Sequence, residues 1–216
     1  MKYQAVIFDL DGTLLNSIPD IESIVNSILL KQGIAPKTTE QITAAVGFGV
    51  EHLLRNCGVP ETDISRLSAV VAGEYSSITN SEAVLYDGIK EMLFAVEKLG
   101  YKIFVLSNKP HDGLEKSISD HLSFFNFHSF KGSKLGRPAK PEPDVLLEML
   151  LDFGISPEAA VIIGDGEPDV LVAEAAKIDV LSVLWGYRSR SALESAGASR
   201  FVETPEEIID YLNSVQ

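Results

Sequence analysis

Two carboxylates separated by one leucine close the first apolar run of the sequence, VIFDLDGTLL. Val6, Ile7 and Phe8 read as a buried strand, with Asp9 and Asp11 directly after it. Side chains alternate faces along a strand, so residues two apart share a side at roughly 6–7 Å. Like charges that close raise one another's proton affinity unless a positive group lies between them. An Asp-Gly turn leading into a helix accounts for Asp11 and Gly12. It leaves Asp9 unexplained. A nucleophile and a separate proton donor for one reaction account for both.

Three further segments carry matching chemistry. YKIFVLSNK ends a strand in Ser107, Asn108 and Lys109, and AAVIIGDG ends another in Asp165, with Asp169 a helical turn further on. Lys140 lies in RPAKPEPD, ahead of a helix that Pro141 or Pro143 can open. Singly, these are an ordinary strand-to-turn pair, a plain turn, a carboxylate favoured by a helix N-terminus and a solvated loop lysine. Their shared placement at strand ends sets those readings aside. An oxygen-rich set of this kind suits Mg²⁺, whereas His52, His111, His121 and His128 show no zinc spacing.

Phosphoryl transfer needs an in-line nucleophile, positive charge around the equatorial oxygens and a proton for the leaving group. Asp9 fits the nucleophile and Asp11 the acid and base. Mg²⁺ between Asp9 and Asp165 would relieve the carboxylate repulsion, with Lys140 acting from the opposite side. Thr13, Ser107, Asn108 and the backbone N–H groups after Asp9 are the candidates to hold phosphate oxygens.

The elements that must position these groups alternate. From Tyr86 onward, helical patterns such as DGIKEMLFAVEKLG, DGLEKSISDHL and EPDVLLEMLLDFG are interleaved with the strands YKIFVLSN, AAVIIGDG and IDVLSVLWG. FFNFHSF reads as a short strand, RFV as a vestigial one, and TPEEIIDYLNSV as a closing helix capped by Thr204 with Glu207 three residues on. Between about Asn16 and Asn80 only helical spacing appears, beginning with PDIESIVNSILLKQG, which stops at Gly33. This pattern predicts an α/β fold, a doubly wound parallel sheet with a helical module inserted after its first strand. The expected core is 1–15 with 82–216, and the expected insert is 16–81. Ligands in such sheets bind beyond the carboxyl ends of the strands, where the polar residues collect.

The totals limit the partners. Among 216 residues, 31 acidic against 18 basic give a net charge of −13, which repels nucleic acid and anionic membranes. A metal ion or a local lysine can still reverse the field inside one cleft. Cys57 is the only cysteine, which excludes an internal disulfide and fits a reducing compartment, and it reads as a packing residue. The N-terminal residues do not read as a signal peptide and no apolar run reaches membrane-spanning length, so the expectation is a soluble, cytoplasmic protein acting on a small phosphorylated metabolite. The oligomeric state is not readable from the sequence.

In DLDGTL, VLSNK, AKPEPD and IIGDGEPDV, in that order, the chain resembles the haloacid dehalogenase superfamily, in its phosphatase branch similar to phosphoglycolate phosphatases. YDGIKEML and LWGYRS also look like that branch. The resemblance implies a mobile helical cap over the site, Asp9 as nucleophile, Asp11 as general acid and base, and Ser107 and Lys140 as phosphate ligands. It implies Mg²⁺ held by Asp9, the Asp11 carbonyl and Asp165, with Asp169 alongside. Gly47, Phe48 and Gly49 would face the catalytic residues, and Arg55 and Lys109 are candidates to meet a substrate carboxylate. Asn16, Asp87 and Gly166 depart from the branch's usual residues, the first two near the cap hinges. A sugar-phosphate mutase, a pyrophosphatase and a non-catalytic domain phosphorylated on Asp9 are the competing readings. Retention of Asp11 and of a full cap counts against the last.

Overall fold

In the computed structural model, which describes residues 2–215, the apolar run at the N-terminus becomes the central strand β1 (Ala5–Phe8). The remaining elements follow in the order β2 (Leu15–Asn16), α1 (Ile18–Lys31), α2 (Thr39–Ala45), α3 (Val50–Asn56), α4 (Glu61–Ser77), β3 (Val84–Leu85) and α5 (Ile89–Lys98). After them come β4 (Lys102–Pro110), α6 (His111–His121), β5 (Ser129–Ser133), α7 (Asp144–Asp152), β6 (Ala160–Gly164) and α8 (Glu167–Ala176). The chain closes with β7 (Asp179–Val183), α9 (Arg190–Ser195), β8 (Phe201–Val202) and α10 (Pro205–Ser214).

Six strands form one parallel sheet in the order β5-β4-β1-β6-β7-β8. The chain winds outward from β1 through β4 and β5, then returns to build β6, β7 and β8 on the other side. The direction of winding therefore reverses between β1 and β6, where a crevice opens beyond the strand ends. In register, Phe8 pairs with both Val105 and Ile163, so three strands reach that edge together. The period-two alternation of β1 sorts its side chains: Val6 and Phe8 pack with α5, α6 and α10, while Ala5 and Ile7 pack with α7 and α8. Both faces are covered, which is why the strands read as continuous apolar runs.

Helices α1 to α4 have a hydrophobic core of their own, built from residues such as Ile21, Val25, Leu29, Leu54, Leu67 and Val71. Cys57 is buried in it as a small packing residue. The chain enters and leaves this insert through β2 and β3, which pair antiparallel with Leu15 opposite Leu85 and Asn16 opposite Val84. Two-residue strands carry no periodicity, and none was expected here. Two other expectations need correction. The strand after α6 is Ser129–Ser133, because the aromatic run before it packs Phe125 and Phe127 into the core from a loop. Thr204 makes no side-chain cap, and the carboxylate of Glu207 accepts instead from the Glu203 N–H at 2.8 Å. Among the described residues, no helix is long and apolar enough to cross a membrane.

A polar cluster pins the return crossing of the insert. Buried Asp20 on α1 accepts from the Ser81 hydroxyl at 2.5 Å and the Glu82 N–H at 2.6 Å, and Ser81 Oγ also lies 2.8 Å from Nε2 of His121 on α6. Replacing Asp20 by alanine removes two part-buried hydrogen bonds to a charged acceptor, at about 1–3 kcal/mol. The expected result for Asp20→Ala is a melting temperature lower by several degrees, and an unchanged melting curve would contradict this assignment.

Candidate active site

Beyond Phe8 the ladder continues for one residue, with the Asp9 N–H donating to the Ile163 carbonyl at 2.9 Å. The chain then turns sharply. Gly12 has φ +89°, and a Cβ there would lie 2.2 Å from Oδ2 of Asp165, so only glycine serves. Asp11 thus sits in the turn, and turn geometry rather than strand alternation sets its relation to Asp9. The two carboxylates have different anchors. Asp9 Oδ1 accepts from the Leu10 N–H at 2.7 Å and lies 3.0 Å from Lys140 Nζ. Asp11 Oδ1 accepts from the Ser17 hydroxyl at 2.6 Å and from Lys109 Nζ at 3.0 Å.

Lys140 also donates to Asp169 Oδ1 at 2.7 Å, with both side chains 1% exposed. Asp169, in the first turn of α8, accepts the Gly166 N–H at 3.1 Å as well. Asp165 follows β6 directly and is held by the Thr13 hydroxyl at 2.9 Å and the Tyr187 N–H at 2.8 Å. Burial by itself would favour loss of the Lys140 proton. Asp169 and Asp9 outweigh it and hold the ammonium charged, well above the ordinary lysine range. Burial also pushes Asp9 well up, against the pull of Lys140 and with the help of the Asp169, Asp165 and Asp11 charges. Asp165 is pushed up to about 7 by burial and by Asp169.

Carboxylate oxygens of Asp9, Asp165 and Asp169 lie within 4.8 Å of one another. Counting Asp11, four carboxylates face two ammonium groups, Lys140 and Lys109, so the buried site has an excess of negative charge. That excess and the all-oxygen donor set fit a hard divalent cation such as Mg²⁺.

The other expected site residues divide. Ser107, Asn108 and Lys109 lie on β4 where its pairing with β5 skips between Leu106 and Pro110, and all three line a narrow cleft of about 50 Å³ together with Asp9 and Asp11. Ser107 Oγ accepts the Lys109 N–H at 3.2 Å and keeps its own proton as a donor. Thr13 and Asn108 are engaged elsewhere: the Thr13 hydroxyl is spent on Asp165, and Asn108 Nδ2 donates to the carbonyls of Gly47 at 2.9 Å and Lys140 at 2.7 Å. Lys109 stands 4.4 Å from the ring centroid of Tyr75, contributed by α4 of the insert. Gly47 and Gly49 line the cleft with Ile21, Val46, Val50 and Leu53, which form an apolar wall opposite the carboxylates. Phe48 instead packs its ring against His52, 5.2 Å between centroids, and faces an outer groove. Arg55 is not brought to the site, since its exposed guanidinium forks onto Glu61 at 2.7 and 2.9 Å.

Residues without a forecast role also reach the site: Ser17 and Tyr75, and Trp185, Tyr187 and Arg188 from LWGYRS. Trp185 Nε1 donates to the Thr13 carbonyl at 3.0 Å, and the Tyr187 hydroxyl accepts the Ser17 N–H at 3.0 Å. No spacing rule marks them, because tertiary approach alone brings them to the turn after Asp9.

The family model for haloacid dehalogenase-like hydrolases matches residues 6–183 of this chain. The chain belongs to that family. This hydrolase is 32% identical to a phosphoglycolate phosphatase of Xylella fastidiosa, over 86% of its own length and 82% of the relative's. It is 29% identical to one of Psychrobacter arcticus, over 98% and 96% of the two chains. The crystal structure of a predicted phosphatase from Clostridium acetobutylicum superimposes with a TM-score of 0.89 at 25% identity, covering 99% of this chain and all of the other.

The raised Asp165 sets a pH signature for cation binding. Its ordinary value is 3.8, so without a cation the stability tied to its neutral form is present below that value and is lost as pH rises through about 7. A bound divalent cation favours the ionised form and cancels that loss. After EDTA treatment, added Mg²⁺ should therefore raise the melting temperature more at about pH 8 than at about pH 5.5. Equal shifts at both pH values would contradict the assignment.

Proposed function

We propose that this hydrolase removes phosphate from small phosphate monoesters, phosphoglycolate foremost, in two steps through an aspartyl-phosphate on Asp9. The observation that carries the reading is the separate anchoring of Asp9 and Asp11 at the mouth of one cleft. Lys140 holds the first through Oδ1, leaving Oδ2 to attack. Ser17 and Lys109 hold the second, in the turn after the strand, for proton transfer. The curated relatives named phosphoglycolate phosphatase supply the first choice of ester.

In the first step Asp9 Oδ2 bonds to phosphorus as the ester P–O bond breaks, and the departing alkoxide takes its proton from Asp11. In the second, Asp11 takes a proton from water as the water oxygen bonds to phosphorus. The bond from phosphorus to Asp9 then breaks, releasing inorganic phosphate and restoring Asp9 as the carboxylate and Asp11 as the protonated acid. Lys140 offsets charge on the transferring group, and the Ser107 hydroxyl donates to a phosphoryl oxygen. Mg²⁺, held by Asp9 and Asp165 with Asp169 alongside, would neutralise phosphoryl charge and relieve the carboxylate repulsion when bound. Lys109, the cleft's second ammonium, is the partner proposed for the carboxylate of phosphoglycolate. The apolar wall from the insert faces the leaving group, which limits its size.

The test is phosphate release from a panel of small esters that includes phosphoglycolate, with Mg²⁺ and with EDTA. Release should require Mg²⁺ and vanish in Asp9→Asn. Asp11→Asn should lower kcat about 10²–10⁴-fold, the usual worth of a positioned acid and base. No release from any ester, or an Asp9→Asn protein that still turns over, would sink the proposal.

A further inference from the structure

We propose that Tyr187 and Arg188 are positioning residues, a two-residue strap that fastens the helical insert to the carboxylates of the site. Helix α2 ends with orphan carbonyls, as every helix does, and its C-terminal end carries partial negative charge. The guanidinium of Arg188, on the loop between β7 and α9, takes three of them: Thr43 at 2.9 Å, Ala44 at 3.4 Å and Val46. Its Nε is aimed by Glu167 Oε2 at 2.8 Å, at the start of α8. One planar side chain, 12% exposed, thus binds insert and core together. The next carbonyl, Gly47, is held from the core by Asn108. Val46 and Gly47 line the cleft, so the strap fixes part of the wall that meets the leaving group.

The residue before Arg188 reaches the chemistry. Tyr187 donates its N–H to Asp165 Oδ2 at 2.8 Å, and its hydroxyl receives the Ser17 N–H while lying 3.2 Å from Ser17 Oγ, which in turn donates to Asp11. Gly186 makes the approach feasible, since a Cβ there would stand 2.2 Å from Cβ of Asp165. Two consecutive residues therefore touch the insert, the Asp165 carboxylate and the anchor of Asp11. An insert lifted off Arg188 would release the peptide that holds all three.

Amide hydrogen exchange tests the strap without reference to turnover. In Arg188→Ala, amides of residues 39–56 should exchange about tenfold faster or more, with β1 and β6 unchanged. Arg188→Lys, which keeps the charge but not the fork, should restore part of the protection. Glu167→Gln should give a smaller shift of the same pattern, and it serves if Arg188→Ala does not fold. Unchanged exchange in 39–56 would overturn the strap. So would a rise shared equally by β1 and β6, which marks general loss of stability. The kinetic consequence rests on the phosphatase reading: Arg188→Ala should raise KM about tenfold with a smaller fall in kcat, whereas Tyr187→Phe should lower kcat about tenfold with KM nearly unchanged. Unaltered kcat in Tyr187→Phe would overturn the link to Asp11. A wild-type protein that turns over no ester would sink the phosphatase reading, while the exchange measurements would still decide the strap.

Discussion

Lys140 stands between Asp9 and Asp169 with almost none of its side chain exposed, and the other parts of the site are arranged around that contact. Two carboxylates so near each other in a low dielectric would repel strongly or protonate. One ammonium between them offsets that repulsion, and removing one partner of such a buried set typically costs about 3–5 kcal/mol. The sheet supplies the convergence: β1 delivers Asp9, β6 delivers Asp165, and the first turn of α8 delivers Asp169. These elements meet where the winding of the chain reverses, a position that leaves room beyond the strand ends.

The same electrostatic problem explains the density of hydrogen bonds around the acidic groups. Asp165 receives a hydroxyl and a backbone N–H, Asp169 a backbone N–H, and Asp11 a hydroxyl and an ammonium. For Asp165 the hydroxyl and the N–H favour the charged form at a place where burial opposes it. These donors come from Thr13, Ser17 and the loop after β7, so the surroundings of the site are built from segments remote from one another in sequence. Polar atoms satisfied in this way fix side-chain direction as well as charge.

Much of this was legible beforehand because it is local. Apolar runs mark β1, β4 and β6, and a carboxylate directly after such a run must emerge at the strand end, as Asp9 and Asp165 do, whereas β4 runs on through Ser107 to Pro110. Helical spacing marks α1 and α4 for the same reason. Contacts made by approach through space were not legible. Arg55 could not be seen to fork onto Glu61, nor Asn108 to spend its amide on two carbonyls, since neither partner lies in a pattern with it. The aromatic run at Phe124–Phe127 misled because aromatic residues pack equally well from a loop against a sheet. Tyr187 and Arg188 act through the Asp165 carboxylate, the hydroxyl of Ser17 and the carbonyls of α2, and backbone acceptors leave no trace in residue type.

The pairing of Leu15 with Leu85 and of Asn16 with Val84 has a consequence for how such a protein can change. The chain leaves the sheet and returns to it at one point, side by side, so the four helices hang from the core like a cassette on a two-pronged plug. Whatever lies between the prongs, the register of β1 against β4 and β6 is set by the sheet alone. The wall facing the leaving group can therefore be lengthened, shortened or exchanged while the phosphorus-facing groups stay in place. On the proposed reading, reaction and selectivity reside on separable pieces of one polypeptide, joined by four residues of ladder.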